Sequence, residues 1–138
     1  KSYAPVDPLP SYVSNSIPEN GFILISPKHH QFLNSGYANF NLDNGQANEQ
    51  IVMINNIDAK AYEIVDFDKM KIWNELGEIE ATAKVSEDIL SGILVVHHGF
   101  WRRHVKGNTV NALIRNNPSK IGQGITVNDT VVFIKKKE

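Results

Sequence analysis

The sequence predicts a mainly β chain closed into a small barrel, with at most two short helices. Three observations carry that expectation. Apolar or alternating runs of strand length recur at Phe22–Ile25, Ile51–Ile54, Phe67–Trp73, Glu78–Val85, Ile93–Val96 and Thr130–Ile134. Their spacing is irregular, roughly 10–20 residues, which suits a closed barrel better than the even hairpins of a sandwich. The segments between them are rich in Asn, Gly and Pro, the residues of turns, with little helical periodicity.

Composition sets outer limits. The chain has 138 residues, 41% of them apolar, a normal share for one globular domain. Its 14 basic and 15 acidic residues give a net charge of −1, which argues against a nucleic-acid domain, whose affinity rests on neutralising phosphates. No apolar run approaches the ~20 residues of a membrane helix, so no span is expected. There is no cysteine, and with it no disulfide, thiolate metal site or cysteine nucleophile. The chain opens at Lys1 with no initiator Met and no signal peptide, as expected of a piece of a longer protein.

Residues 1–20 carry Pro5, Pro8, Pro10 and Pro18 among polar residues and read as a linker or tail, with a single domain over 21–138. The first strand ends at Pro27, which cannot continue a central ladder. Residues 28–39 read as a loop or short helix, and Asn44-Gly45 as a turn. Asn56 is expected to cap a brief helix after the second strand. The pattern of Phe67–Trp73, Asn74–Gly77 and Glu78–Val85 is that of a hairpin. Val110–Ile114 is a short strand or a helical turn, and Lys135–Lys137 is expected to close the chain in solvent.

Enzyme signatures are scarce. The histidine pairs His29-His30 and His97-His98 would point to opposite faces on a strand, so each supplies one metal ligand at most, and no i,i+4 histidine pair exists. Gly-x-Ser-x-Gly is absent, and Gly122-Gln123-Gly124 lacks the third glycine of a dinucleotide fingerprint. The chain is expected to supply no catalytic residue and no metal ligand. What stands out is fifteen asparagines. An asparagine offers donors and an acceptor in a flat fork, which matches the edge of a purine or pterin. Most would serve in turns, but Asn34, Asn111 and Asn128 flank strand ends, as does His98-Gly99. Trp101 is expected in the core and Trp73 in hairpin packing.

Four blocks in order carry a resemblance. They are Leu24–Asn39; Ile54–Ala59 with Met70–Gly77; Ser91–Trp101 with Val110–Leu113; and Val127–Val132. Together they resemble the C-terminal molybdopterin dinucleotide-binding domain of molybdenum and tungsten oxidoreductases of the dimethyl sulfoxide reductase family. The chain departs from the family pattern at four places. Asn55-Asn56 replaces His-Pro, Phe100 replaces a tryptophan, Ile114 replaces a threonine, and Val127 stands where an aromatic is common.

The resemblance implies a double-psi β-barrel of the aspartate-decarboxylase-like type. It also implies two copies of molybdopterin guanine dinucleotide, which bind one Mo or W through the pterins. The remaining domains of the parent oxidoreductase would be the partners, and this domain their lid. Under that reading Asn111 and Asn128 pair pterin edges, while Ser26, Asn34 and Ser35 meet pterin or phosphate oxygens. Lys28 faces the pyrophosphate. His30 and His98 donate to ring atoms, and the bare amide of Gly99 allows close approach. The competing reading is a stand-alone double-psi barrel that binds a partner without redox chemistry.

Overall fold

The computed structural model describes residues 16–30, 33, 36–37, 49–119 and 122–137. Six strands are present among them: β1 (Phe22–Ile25), β2 (Ile51–Asn55), β3 (Lys69–Trp73), β4 (Glu78–Ser86), β5 (Ile93–Val96) and β6 (Thr130–Lys136). They close into a barrel in the order β1-β5-β2-β4-β3-β6. One six-residue helix, α1 (Asn56–Ala61), follows β2, and 3-10 turns occupy Arg102–His104 and Val110–Leu113.

Alternation builds the interior. Phe22, Leu24, Val52, Ile54, Met70, Ile72, Leu94, Val96, Val132 and Ile134 point inward and are buried. Ala81 and Ala83 are the small inward residues of β4, leaving room for their larger neighbours.

The registers sort loops to the two ends of the barrel. Parallel pairing of β1 with β5 sets Ile25 opposite Val95, so both C-terminal ends emerge together. Val96 lies opposite Val52 near the start of β2, and Ile51 lies opposite Thr82 of β4. The β3–β4 hairpin turns at Asn74–Gly77 on this side, and Leu24 opposite Thr130 brings the start of β6 to it. One rim, the mouth, thus gathers the C-terminal ends of β1, β3 and β5 and the N-terminal ends of β2, β4 and β6.

The opposite end is stapled by α1. Asn55 Nδ2 donates to Ile89 O at 2.7 Å, and the Asp58 carboxylate accepts from Ser91 Oγ at 2.7 Å and Gly92 N at 2.8 Å. The Ile54–Ala59 block is therefore a structural joint remote from the mouth.

Several expectations need correcting. Asn55, not Asn56, caps α1: its backbone is extended (φ −64°, ψ 147°) and its side chain accepts from Ile57 N at 2.8 Å. β3 begins at Lys69, because Phe67 takes φ +70° and interrupts the extended strand; its N–H still donates to Ala83 O at 2.9 Å, but its side chain is 84% exposed. The terminal lysines do not simply trail into solvent. Lys135 and Lys136 extend β6, Lys136 pairs with Asp68 at 2.7 Å, and Lys137 pairs with Glu80. Of the two alternatives for Val110–Ile114, the helical turn is the one formed, as a 3-10 turn over Val110–Leu113. Of the tail, only 16–20 is described, and Gly21 N donates to Pro18 O at 2.9 Å where it turns into β1.

Candidate functional site

The β1 and β5 strands continue their partnership past their ends. His98 N donates to Pro27 O at 3.0 Å, His29 N donates to His98 O at 3.3 Å, and Lys28 bridges His98 in parallel. Side chains join the same seam. His98 Nδ1 donates to Ser26 O at 2.9 Å, and Ser26 N donates to Asn128 Oδ1 at 3.5 Å. Ser26, Lys28, His98 and Asn128 therefore meet at one part of the mouth, with Lys28 and Asn128 exposed. Gly99 follows at φ +114°, a conformation that L side chains rarely adopt. Asn34 and Ser35 lie outside the described residues.

The bond from His98 Nδ1 fixes the tautomer. With the proton on Nδ1, neutral His98 presents Nε2 as an acceptor. The donor role expected from the sequence is thus reversed at that atom unless the ring is protonated.

His30 belongs to a cluster that the sequence did not reveal. Its ring stacks on His29 at 4.8 Å between centroids, and His29 meets His97 edge-on at 5.4 Å and Phe100 at 5.6 Å. Parallel pairing brings the two histidine pairs side by side, a register invisible in a single sequence. Among the described residues no group of three or more His, Asp or Glu could hold a metal ion. Burial pushes the His29 imidazole below its ordinary 6.5, helped by His30 and His97. Burial also lowers His97, helped by His30, His98 and Lys84. A depressed histidine binds fewer protons folded than unfolded, so stability is lost as pH falls below about 6.5. The melting temperature of the chain is expected to drop between pH 7.5 and 5.5, and to drop less in His97→Gln. An equal drop in both proteins would remove the cluster as the cause.

Asn111 sits across the mouth, exposed on the Val110–Leu113 turn. Two buried side-chain amides, Gln50 and Asn74, pin that turn. Gln50, 2% exposed, accepts from Val110 N at 3.0 Å and donates to Asn108 O at 2.9 Å and Glu80 O at 3.3 Å. Asn74 donates to Leu113 O at 2.8 Å while accepting from Leu76 N at 2.9 Å. A polar residue directly before an apolar strand was the only available signal for Gln50.

Trp101 is not a core residue. It is 40% exposed, because the chain leaves the barrel after Gly99, and the Arg103 guanidinium lies 5.1 Å from its ring centroid. Trp73 packs on Phe133 of β6, 6.0 Å between ring centroids, across the β3–β6 ladder.

Two hydroxyls at the mouth, Ser26 Oγ and Thr130 Oγ1, are buried with no hydrogen-bond partner among the described residues. Buried polar groups are nearly always paired, so such orphans next to exposed amides fit a site for a ligand with hydrogen-bonding edges. An open groove of about 580 Å³ lies over the outer faces of β3 and β4, and one of about 350 Å³ runs beside the Asn74–Gly77 turn onto the outer face of the hairpin; no predicted site residue lines either. No helix among the described residues is long and apolar enough to cross a membrane.

A family profile described as "Molydopterin dinucleotide binding domain" matches residues 22–131. The chain belongs to this family. Curated relatives agree with the dimethyl sulfoxide reductase branch. The probable oxidoreductase YoaE of Bacillus subtilis is 36% identical over 119 residues, 86% of this chain and 17% of that protein. The trimethylamine-N-oxide reductase of Haemophilus influenzae is 30% identical over 138 residues, 91% of this chain and 17% of its own length. Among solved structures, acetylene hydratase from Pelobacter acetylenicus superposes with a TM-score of 0.77 at 13% identity, over 95% of this chain and 22% of that one. The barrel of this molybdopterin dinucleotide-binding domain is a double-psi β-barrel. The domain spans about a sixth of the length of these two curated relatives.

Proposed function

We propose that this domain is the lid of a larger molybdenum or tungsten oxidoreductase, closing over two molybdopterin guanine dinucleotides with its barrel mouth. One observation carries the reading. Ser26, Lys28, His98, Gly99, Asn111 and Asn128, from separate segments of the chain, all stand at the same end of the barrel, where two buried hydroxyls lack partners. His30 stands on the same seam, stacked on His29.

The residues fit the group. Asn111 and Asn128 offer exposed carboxamides, flat forks suited to the edge of a pterin. Neutral His98 offers an acceptor at Nε2 to a ring N–H. Lys28 stands exposed beside it and suits a pyrophosphate. Gly99 keeps the rim free of a side chain. The cofactor, when bound, supplies the redox chemistry through its metal. This chain's residues bind and orient it, and their dipoles set the electrostatic surroundings of the rings. A barrel end supplies only part of an enclosing site, so the rest of the parent chain would complete it.

The test compares the full-length parent with the 138-residue chain purified alone. The parent is expected to release two pterins per polypeptide on denaturation, and the isolated chain only a trace. A parent devoid of pterin would end the reading. Stoichiometric pterin on the isolated chain would overturn the shared site.

A further inference from the structure

Ser26 Oγ and Thr130 Oγ1, buried at the mouth, have no partner among the described residues. Thr130 is 1% exposed and lies opposite Leu24 in the β1–β6 ladder. It shares the inward face with buried Val132 and Ile134. Followed two residues on, the same register sets Ser26 across from Asn128, and Ser26 N does donate to Asn128 Oδ1. Ser26 continues the inward parity of Phe22 and Leu24. Ser26 and Thr130 are thus diagonal neighbours on one face, just inside the exposed Asn128.

Asn128 itself is loosely held. Its described bond is a single long one at 3.5 Å, which leaves both carboxamide N–H donors uncommitted. A carboxamide has distinct donor and acceptor sides, and a ligand edge reads whichever side is presented. Two unpaired hydroxyls beside it supply acceptors that would select one side.

We propose that Thr130, together with Ser26, is a positioning residue for Asn128 when a flat heterocycle lies at the mouth: the buried hydroxyls, which accept from no described residue in this structure, then accept a carboxamide N–H and fix the side that Asn128 turns toward the ligand. This rests on the cofactor-holding reading above. It adds a residue that the block Val127–Val132 did not single out, and it gives the orphan hydroxyls a use. No described residue of the barrel bonds the Thr130 hydroxyl. Exchange for an isosteric apolar residue should therefore leave the fold intact.

Thr130→Val, Thr130→Ser and Asn128→Ala are made in the full-length parent, and pterin retained after dialysis is measured. Melting of the 138-residue chain carrying each substitution is measured in parallel. Thr130→Val is expected to retain pterin about tenfold less tightly, the worth of one hydrogen bond, while melting at an unchanged or higher temperature. Thr130→Ser is expected to restore retention. Parental retention in Thr130→Val overturns the proposal. So does a lowered melting temperature that Thr130→Ser fails to restore, since that marks a packing role. The Asn128→Ala arm separates the two levels. If it loses pterin while Thr130→Val does not, only the positioning role falls. If neither loses pterin, the cofactor-holding reading falls with it.

Discussion

Gln50→Leu is expected to destabilise the barrel by about 3 kcal/mol, because it strands buried backbone groups that each cost roughly 1–3 kcal/mol unpaired. The side chain is 2% exposed and serves Val110 N, Asn108 O and Glu80 O at once. Leucine matches its bulk and can serve none of them. The effect reaches the mouth as well. The Val110–Leu113 turn would lose its hold on Val110 N and keep the Asn74 bond to Leu113 O and the Asn108 Nδ2 bond to Glu78 O, and Asn111 rides on that turn. Urea unfolding of the chain should show a lower midpoint with an unchanged slope. A change under about 0.5 kcal/mol, the range of ordinary surface substitutions, would mean that the turn holds itself.

Asn128→Ala is expected to show the reverse profile. The residue is exposed, and its described bond to Ser26 N is long, so the barrel should lose less than about 0.5 kcal/mol. In the full-length parent, pterin content should fall about tenfold, as expected when one donor–acceptor pairing worth about 1.4 kcal/mol is removed. Melting of the chain and pterin released on denaturation check the two halves. Full occupancy with a large fall in melting temperature would make Asn128 a turn residue and no more.

These two residues show what a single sequence makes legible. The place of Asn128 was readable, because it stands just before the apolar run of the last strand, and the surrounding block carries a family resemblance; its role at the mouth is the proposal that the substitution tests. Gln50 was not, since its worth depends on partners 30 and 58 to 60 residues away. The β3–β4 hairpin was readable from strict alternation on both sides of a four-residue turn, and its register runs from Lys69–Thr82 to Trp73–Glu78. The one-residue slip in the cap of α1 has a local cause. Asn55 and Asn56 are both competent caps, and only the backbone angles at Asn55 decide between them.

Barrel closure sets the remaining limit. The β1–β6 pairing joins Phe22 to Val132, and the β1–β5 pairing is parallel, so neither leaves a hairpin signal in the chain. Everything that depends on those two ladders stayed hidden. The stacked imidazoles of His29 and His30 against His97 and the shared burial of Ser26 and Thr130 hydroxyls both belong here. The exposure of Trp101 was missed for a different reason. A bulky aromatic after an apolar strand usually turns inward, and the backbone at Gly99 takes this one out.

One end of the barrel, and not its outer wall, is the surface proposed to hold the cofactor. Amide hydrogen exchange of the full-length parent, loaded and stripped of pterin, tests it most directly. Loading is expected to slow exchange across 26–30, 97–101, 110–113 and 126–130, and to leave the groove around Glu49, Phe67, Lys69 and Lys106 unchanged. Slowed exchange confined to that groove, or to the α1 end of the barrel, would contradict it.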